Sequence, residues 1–385
     1  LLDLWRSLGE DKFLWLSALL VGFAMGTKYT TGILLVTALP IILLTKRGYG
    51  LKSALRDIFI FTGIALLTFS PWLIKNLLAT GNPVYPLLLP SGAMDIHRLA
   101  LYQGDPAWGD WRDTIFLPWR ATIWGIESKV GYSAEIGSLM LALSPLVWIG
   151  WKERSAAQKR SLQTALIITL TGFFLWAVAG RASRLLIQTR LYFVLFPTWA
   201  ILAGVGFESF SKIRAGGVRF GRIASALVLL AFGFNLFVTG VNFTKLRVIE
   251  TLIGAQTPAS YRERALGTYE TAMSTIAELP ADSQVIMLWE TRGLACVPKC
   301  EPDEVIDRWY ADIRAYDSPE AILDAWRDAG HTHLLFYEHG ADFIREDDPA
   351  YTDADWVALE QFLGQLELEK YFSRVYKLYS LRSTK

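Results

Sequence analysis

Long uninterrupted apolar runs dominate the first 243 residues of this 385-residue chain, and they restrict its fold more than any other feature. A bilayer core about 30 Å thick needs roughly 20 apolar residues in a helix. Runs at 58–77, 161–180, 191–207 and 220–243 meet or approach that length, and a shorter run at 136–151 has charges on both sides. The stretch 13–45 is too long for one crossing and short for two. Gly26, Thr27, Lys28 and Tyr29 in its middle predict a tight helical hairpin. The sum is a polytopic α-helical membrane domain of about seven transmembrane helices over residues 1–243. The remaining residues, 244–385, are rich in Asp, Glu and Arg and read as a small soluble α/β domain. A content of 52% apolar and 13% aromatic residues agrees with the membrane reading, because a soluble chain of this length carries less.

Lys and Arg favour short cytoplasmic loops. Lys46, Arg47, Lys52 and Arg56 occupy one loop, Lys152, Arg154, Lys159 and Arg160 a second, and Lys212, Arg214, Arg219 and Arg222 a third. All three fall on one side if every run crosses once. Lys28, the segment 78–135, the loop 181–190 and the C-terminal domain then lie outside the cytoplasm. A net charge of +1, with no basic stripe among stacking aromatics, argues against nucleic acid as a partner. The chain begins without Met and its first apolar run follows no signal-peptide pattern, so a missing N-terminal part is expected.

One external loop breaks the charge rule. Residues 181–190 carry Arg181, Arg184 and Arg190. Arginine binds phosphate through paired charge-assisted hydrogen bonds and keeps its proton in a low dielectric, and Lys28 adds a similar charge. The plainer alternative is snorkelling to headgroups or pairing with carboxylates. Together these cations favour a polyprenyl or phospholipid phosphate. After the third run, Pro71, Trp72, Lys75 and Asn76 lead into Gly81, Asn82, Pro83, Val84, Tyr85 and Pro86, a helix exit with interfacial aromatics.

Three segments in this order and spacing resemble the GT-C superfamily of membrane glycosyltransferases: Gly22 to Thr30 around Gly26-Thr27-Lys28-Tyr29, Pro71-Trp72 through Asn82-Pro83 to Tyr85-Pro86, and Gln188-Thr189-Arg190-Leu191-Tyr192 running into Phe196-Pro197. The chain is most similar to bacterial members of the protein mannosyltransferase and lipid A aminoarabinose transferase type. The resemblance covers most of residues 13–207. It implies transfer of a sugar from a polyprenyl-phosphate donor to an extracytoplasmic lipid, glycan or protein acceptor, with inversion, in the plasma membrane. On that basis Lys28, Arg184 and Arg190 are expected to hold the donor phosphate. Lys75, Asn82 and Tyr85 are expected in a substrate loop. The family's acidic base belongs to a first external loop that this chain lacks, so no catalytic carboxylate is assigned. No cofactor beyond the donor substrate is expected, and no metal. A lipid-linked glycan flippase and a noncatalytic partner subunit are the alternatives; the absence of an internal repeat counts against the first.

Asp95, Asp105, Asp110, Asp113, Glu127 and Glu135 lie in the segment 78–135, where solvated acids are most often inert. Trp108, Trp111, Trp119 and Trp124, with Arg112 and Arg120, favour an interfacial amphipathic helix over sugar stacking. In the tail, 283–289, 332–337 and 373–381 read as strands, and 318–329 and 353–371 as helices. His331 and His333 on one strand face, with His339 nearby, make a metal site conceivable, although solvent-edge histidines are the simpler reading. Cys296 and Cys300 predict a small disulfide loop in an oxidising compartment. A binding or lid role is expected of this domain.

Overall fold

A computed structural model describes residues 1–91, 94, 96–103, 107–125, 132, 136–215 and 217–382. The chain divides into two units, Leu1–Phe234 and Asn235–Lys385, and the division falls within one helix.

The first unit is helical. In chain order it holds α1 (Leu2–Leu8), α2 (Asp11–Thr27), a 3-10 turn (Tyr29–Gly32), α3 (Ile33–Thr45) and α4 (Leu51–Thr80). The short helices α5 (Ile96–Gln103), α6 (Trp111–Ile115), α7 (Leu117–Ile123) and α8 (Leu139–Leu143) follow, then α9 (Ala156–Ala182) and α10 (Phe196–Ser211). The two-residue strands β1 (Arg214–Ala215) and β2 (Val218–Arg219) precede α11 (Phe220–Leu246), which contains the division. Among the described residues four helices are long and apolar enough to cross a membrane: Leu51–Thr80, Ala156–Ala182, Phe193–Ser211 and Phe220–Leu246.

The other expected crossings are shorter. The hairpin over 13–45 forms, broken at Lys28, but α2 has 17 residues and α3 has 13. At 1.5 Å per residue they measure about 25 and 20 Å, less than the bilayer core. The run 136–151 does not form one continuous helix. It folds as α8 and a 3-10 turn, Ser144–Trp148, with Pro145 at the junction. α10 packs closely there, since a Cβ on Gly206 would come within 1.9 Å of the Leu143 carbonyl oxygen. Helix α1 was not anticipated.

Close packing joins α2 to α4, where a Cβ on Gly22 would lie 2.4 Å from the Ala65 carbonyl oxygen. Trp5, Leu14, Ala18, Ile42, Phe61 and Ala65 form the core there. A second core gathers Phe173, Trp176, Tyr192 and Trp199, with Trp176 stacked on Tyr192 at 4.7 Å. Basic residues collect at one end of the unit. Asp57, 1% exposed, receives Lys46 at 3.0 Å and Arg56 at 2.9 Å, as a buried carboxylate requires. Arg6 donates to the Thr164 hydroxyl at 2.6 Å, and Arg154 to Ser209 at 2.6 Å.

The second unit is a mixed α/β fold. It contains α12 (Val248–Leu252), α13 (Pro258–Leu266), α14 (Thr268–Glu278), β3 (Val285–Leu288), β4 (Cys300–Glu301), α15 (Arg308–Ala315), α16 (Pro319–Asp328), β5 (His333–Tyr337), α17 (Glu338–Asp347), α18 (Asp353–Gly364), β6 (Glu367–Phe372) and β7 (Tyr376–Ser380). The strand order is β4-β3-β5-β7-β6. β3 runs parallel to β4 and β5, while β7 is antiparallel to β5 and β6. Strand side chains alternate between faces, so Ile286 and Leu288 join one core with Trp309, Trp326 and Phe362. Val285 and Met287 join the other, with Met273, Ile276 and Leu378. Both sheet faces are covered, which explains the continuous apolar run of β3.

The helix expected over 353–371 stops at Gly364, and Glu367–Phe372 is the edge strand β6. Its exposed Glu367, Glu369 and Lys370 suit an edge that must not pair with other chains.

Candidate functional site

The ends of α2, α4 and α9 meet away from the basic cluster, and their connecting loops interlock. α4 ends at Gly81, whose φ of 76° closes the helix through its N–H to the Leu77 carbonyl at 2.9 Å. The chain then folds back on Asn82, which is fully buried. Asn82 Nδ2 donates to the carbonyls of Leu87 at 2.8 Å and Leu89 at 2.9 Å, and its Oδ1 accepts from Val84 N–H at 3.0 Å. A buried amide with its capacity so used fixes a loop.

Tyr29, just after α2, ties this loop to the helices. Its hydroxyl accepts from Asn76 Nδ2 at 2.7 Å and Trp72 Nε1 at 3.2 Å, and donates to the Tyr85 carbonyl at 3.0 Å. Lys75 lies over the Trp72 ring at 4.3 Å, so its charge stays at the edge of the same knot. Lys75, Asn82 and Tyr85 therefore belong to one local structure. Tyr29 and Asn76 are its hub, a role that spacing did not reveal although both stand in the motif segments.

The loop after α9 is held as firmly. Ser183 caps a 3-10 turn, Arg184–Ile187, and two more turns, Thr189–Leu191 and Phe193–Leu195, carry the chain into α10. Trp176 Nε1 donates to the Ile187 carbonyl at 2.9 Å, Tyr192 hydroxyl to the Leu186 carbonyl at 2.8 Å, and Thr189 N–H to the Tyr132 carbonyl at 2.7 Å. Such bonding fixes the backbone while Arg184 and Arg190 stay exposed. Arg181 differs: its guanidinium donates to the carbonyls of Trp108 and Gly109, a structural tie.

Lys28 reaches this loop. Its Nζ lies 3.4 Å from the Arg190 carbonyl oxygen, joining residues 162 apart in sequence. Arg190 Nε in turn donates to Gln188 Oε1 at 2.8 Å. An ammonium and a guanidinium thus share one exposed edge, supported by buried amides and rings. Arg184 lies on the same connection, six residues before Arg190. Such an edge presents cations to an anion from a backbone that is already fixed.

In the segment that precedes α8, the described acids serve local structure. Asp110 caps α6 by accepting from the N–H groups of Arg112 at 2.7 Å and Asp113 at 3.0 Å, which lowers its pKa. Asp113 pairs with Arg120. Trp111, Trp119 and Trp124 stand exposed on or beside α6 and α7, as interfacial residues do. Asp95, Asp105, Glu127 and Glu135 lie outside the described residues.

In the second unit a disulfide joins Cys296 and Cys300, with Cα atoms 5.5 Å apart. The histidines do not converge. His331 precedes β5 and meets Glu301 at 3.0 Å, buried His333 faces Glu369 at 3.5 Å, and His339 neighbours Asp342 at 3.9 Å. No group of three metal-ligating side chains is found among the described residues.

A domain of unknown function, DUF8201, matches residues 3–94. That stretch holds Lys28, Tyr29, Trp72, Asn76, Asn82 and Tyr85, and ends before the 181–190 loop. No curated protein and no solved structure matches the chain.

Proposed function

We propose that this chain belongs to an inverting glycosyltransferase of the GT-C type that draws a sugar from a polyprenyl-phosphate donor. The observation that carries the reading is the meeting of Lys28 with the Arg190 backbone, beside the Tyr29, Asn76 and Asn82 knot. Seven segments enter the plasma membrane on this reading: the four long helices, α2, α3 and the Leu139–Trp148 stretch. The basic cluster faces the cytoplasm on this reading, and the phosphate edge and residues 244–385 face outward.

The chemistry follows from charge. The polyprenyl chain stays in lipid while its phosphate rests against Lys28, Arg184 and Arg190. When the bond from the anomeric carbon to the phosphate oxygen breaks, its electron pair goes to the phosphate. The cations stabilise that growing charge more than they stabilise the bound donor, which lowers the barrier. An acceptor hydroxyl oxygen attacks from the opposite face and loses its proton to a base that we leave unassigned. Lys75, Asn82 and Tyr85 belong to the substrate loop on this reading.

The test is transfer of radiolabelled sugar from polyprenyl-phosphate donors by the full-length protein in proteoliposomes. Wild type transfers label, and Lys28→Ala or Arg190→Ala, still folded, loses most of it. Absence of transfer from every donor by folded wild type overturns the reading and favours a flippase or a noncatalytic partner.

A further inference from the structure

The Asn235–Lys385 unit has a cleft of 390 Å³ next to the carboxyl end of β5. Strands of parallel pairs lead into loops at that end, which is where ligands of open α/β sheets bind. Its size falls within the range of small-molecule sites. Six residues define its chemistry: Glu338, Asp342 and Arg345 from α17, Trp356 from α18, and Tyr371 and Lys377 from the β6–β7 hairpin.

Aromatic and aliphatic side chains share the apolar surface, and the polar surface is balanced. Tyr371 is 46% exposed, with Lys377 Nζ 5.2 Å from its ring centre, and Arg345 covers Trp356 at 4.5 Å. Glu338, Asp342 and Glu360 face an equal number of cations in Arg345, Arg374 and Lys377. Equal opposite charges create no strong field for an ion, yet they supply donors and acceptors to many hydroxyls. Glu338 Oε1 takes Lys377 at 2.7 Å, and the Tyr371 hydroxyl interacts with the same carboxylate.

Backbone strain borders the cleft. Trp289, whose ring meets Phe336 and Trp356, has φ of 60°. Non-glycine residues in this region cost free energy, and they concentrate at binding sites.

We propose that this cleft binds an uncharged saccharide, the pyranose face against Tyr371 and its hydroxyls on Glu338, Asp342 and Arg345. The proposal deepens the transferase reading and rests on it for the saccharide's role as acceptor. Binding of mannotriose, maltotriose and chitotriose to the full chain in lipid nanodiscs is measured by titration calorimetry, with trigalacturonate as the anionic comparison. At least one uncharged trisaccharide binds with Kd of about 1 mM or tighter, and Tyr371→Ala weakens it by about tenfold. Asp342→Asn, an exposed position, weakens it as well without affecting folding. No binding of any uncharged trisaccharide, stronger binding of trigalacturonate, or affinity unchanged in both variants overturns the proposal. No donor lipid is present and no turnover is read, so failure here leaves the transferase reading standing.

Discussion

The central part of helix α11 and the whole of strand β3 are strongly apolar, yet they are packed in opposite ways. α11 has a mean hydropathy of 2.0 in its most apolar window and exposes Leu230, Phe232, Phe234 and Leu236. Val285 to Leu288 of β3 are buried entirely, between two layers of helices. A soluble protein pays heavily for four large exposed apolar residues on one helix, whereas a lipid-facing helix gains from them. The two regions therefore teach that apolarity sets what a segment avoids, and that the surrounding solvent decides whether it is buried. In the first unit, polar order is concentrated where helices end, at Asp57 and at Tyr29. In the second it lies around and beneath a sheet.

The largest expected effect is in the second unit. Trp309 is fully buried, and its Nε1 donates to the Asp355 carbonyl at 3.1 Å. Trp309→Ala lowers stability by about 3–5 kcal/mol in denaturant titration of the full chain, from the cavity and the lost bond. An unchanged midpoint would mean that this core does not hold the unit together. Next is Leu230→Arg, which places a charge near the middle of α11 and costs about 3 kcal/mol of membrane insertion. Glycosylation-mapping or protease-protection assays should show α11 failing to insert. Normal insertion would break the contrast between the regions.

Gly22 and Gly63 sharpen it within the membrane unit. Gly22→Ala meets the Ala65 backbone and costs about 1–3 kcal/mol, read as a lower melting temperature in nanodiscs. Gly63→Ala meets nothing within 4 Å and raises stability by up to about 1 kcal/mol. Equal effects would place Gly22 away from the helix crossing.

The smallest effect is electrostatic. Burial alone would raise the Glu290 carboxyl, but bonds from Arg292 at 2.7–2.8 Å and from the Tyr376 hydroxyl at 2.5 Å hold it below the usual range. Its stabilisation is complete above the unfolded pKa of about 4.3 and disappears as pH falls through the lower folded value. Glu290→Gln should flatten the acid-side slope of stability against pH; a slope equal to wild type would assign acid sensitivity elsewhere.

Much of this architecture is legible in sequence, for physical reasons. The four long runs are evident because lipid requires unbroken apolar helices. Gly26 to Tyr29 marks the hairpin because a polar, glycine-containing stretch interrupts one. The segment 136–151 deceived because composition reports apolarity and not continuity, and Ser144 with Pro145 breaks the helix. α1 is too short for periodicity to register, and only the burial of Trp5 shows its role. The helix expected over 353–371 ran on into β6 because Glu367 to Lys370 are as polar as a helix surface. At the candidate site, residue types identified the cations, but the partnership of Lys28 with the Arg190 carbonyl spans 162 positions. No local pattern encodes it. The hub role of Tyr29 depends equally on Asn76 and Trp72 arriving from another helix.

The most direct measurement is binding of radiolabelled polyprenyl phosphate to the purified chain in nanodiscs, compared across wild type, Lys28→Ala, Arg190→Ala and Arg181→Ala. The account predicts saturable binding that Lys28→Ala and Arg190→Ala each weaken by about tenfold to a hundredfold, the worth of one charge-assisted hydrogen bond. Arg181→Ala, whose guanidinium is committed to backbone carbonyls, retains affinity wherever it folds. Saturable binding that neither Lys28→Ala nor Arg190→Ala alters, or no binding by wild type, would contradict the claim that these two residues form a phosphate site.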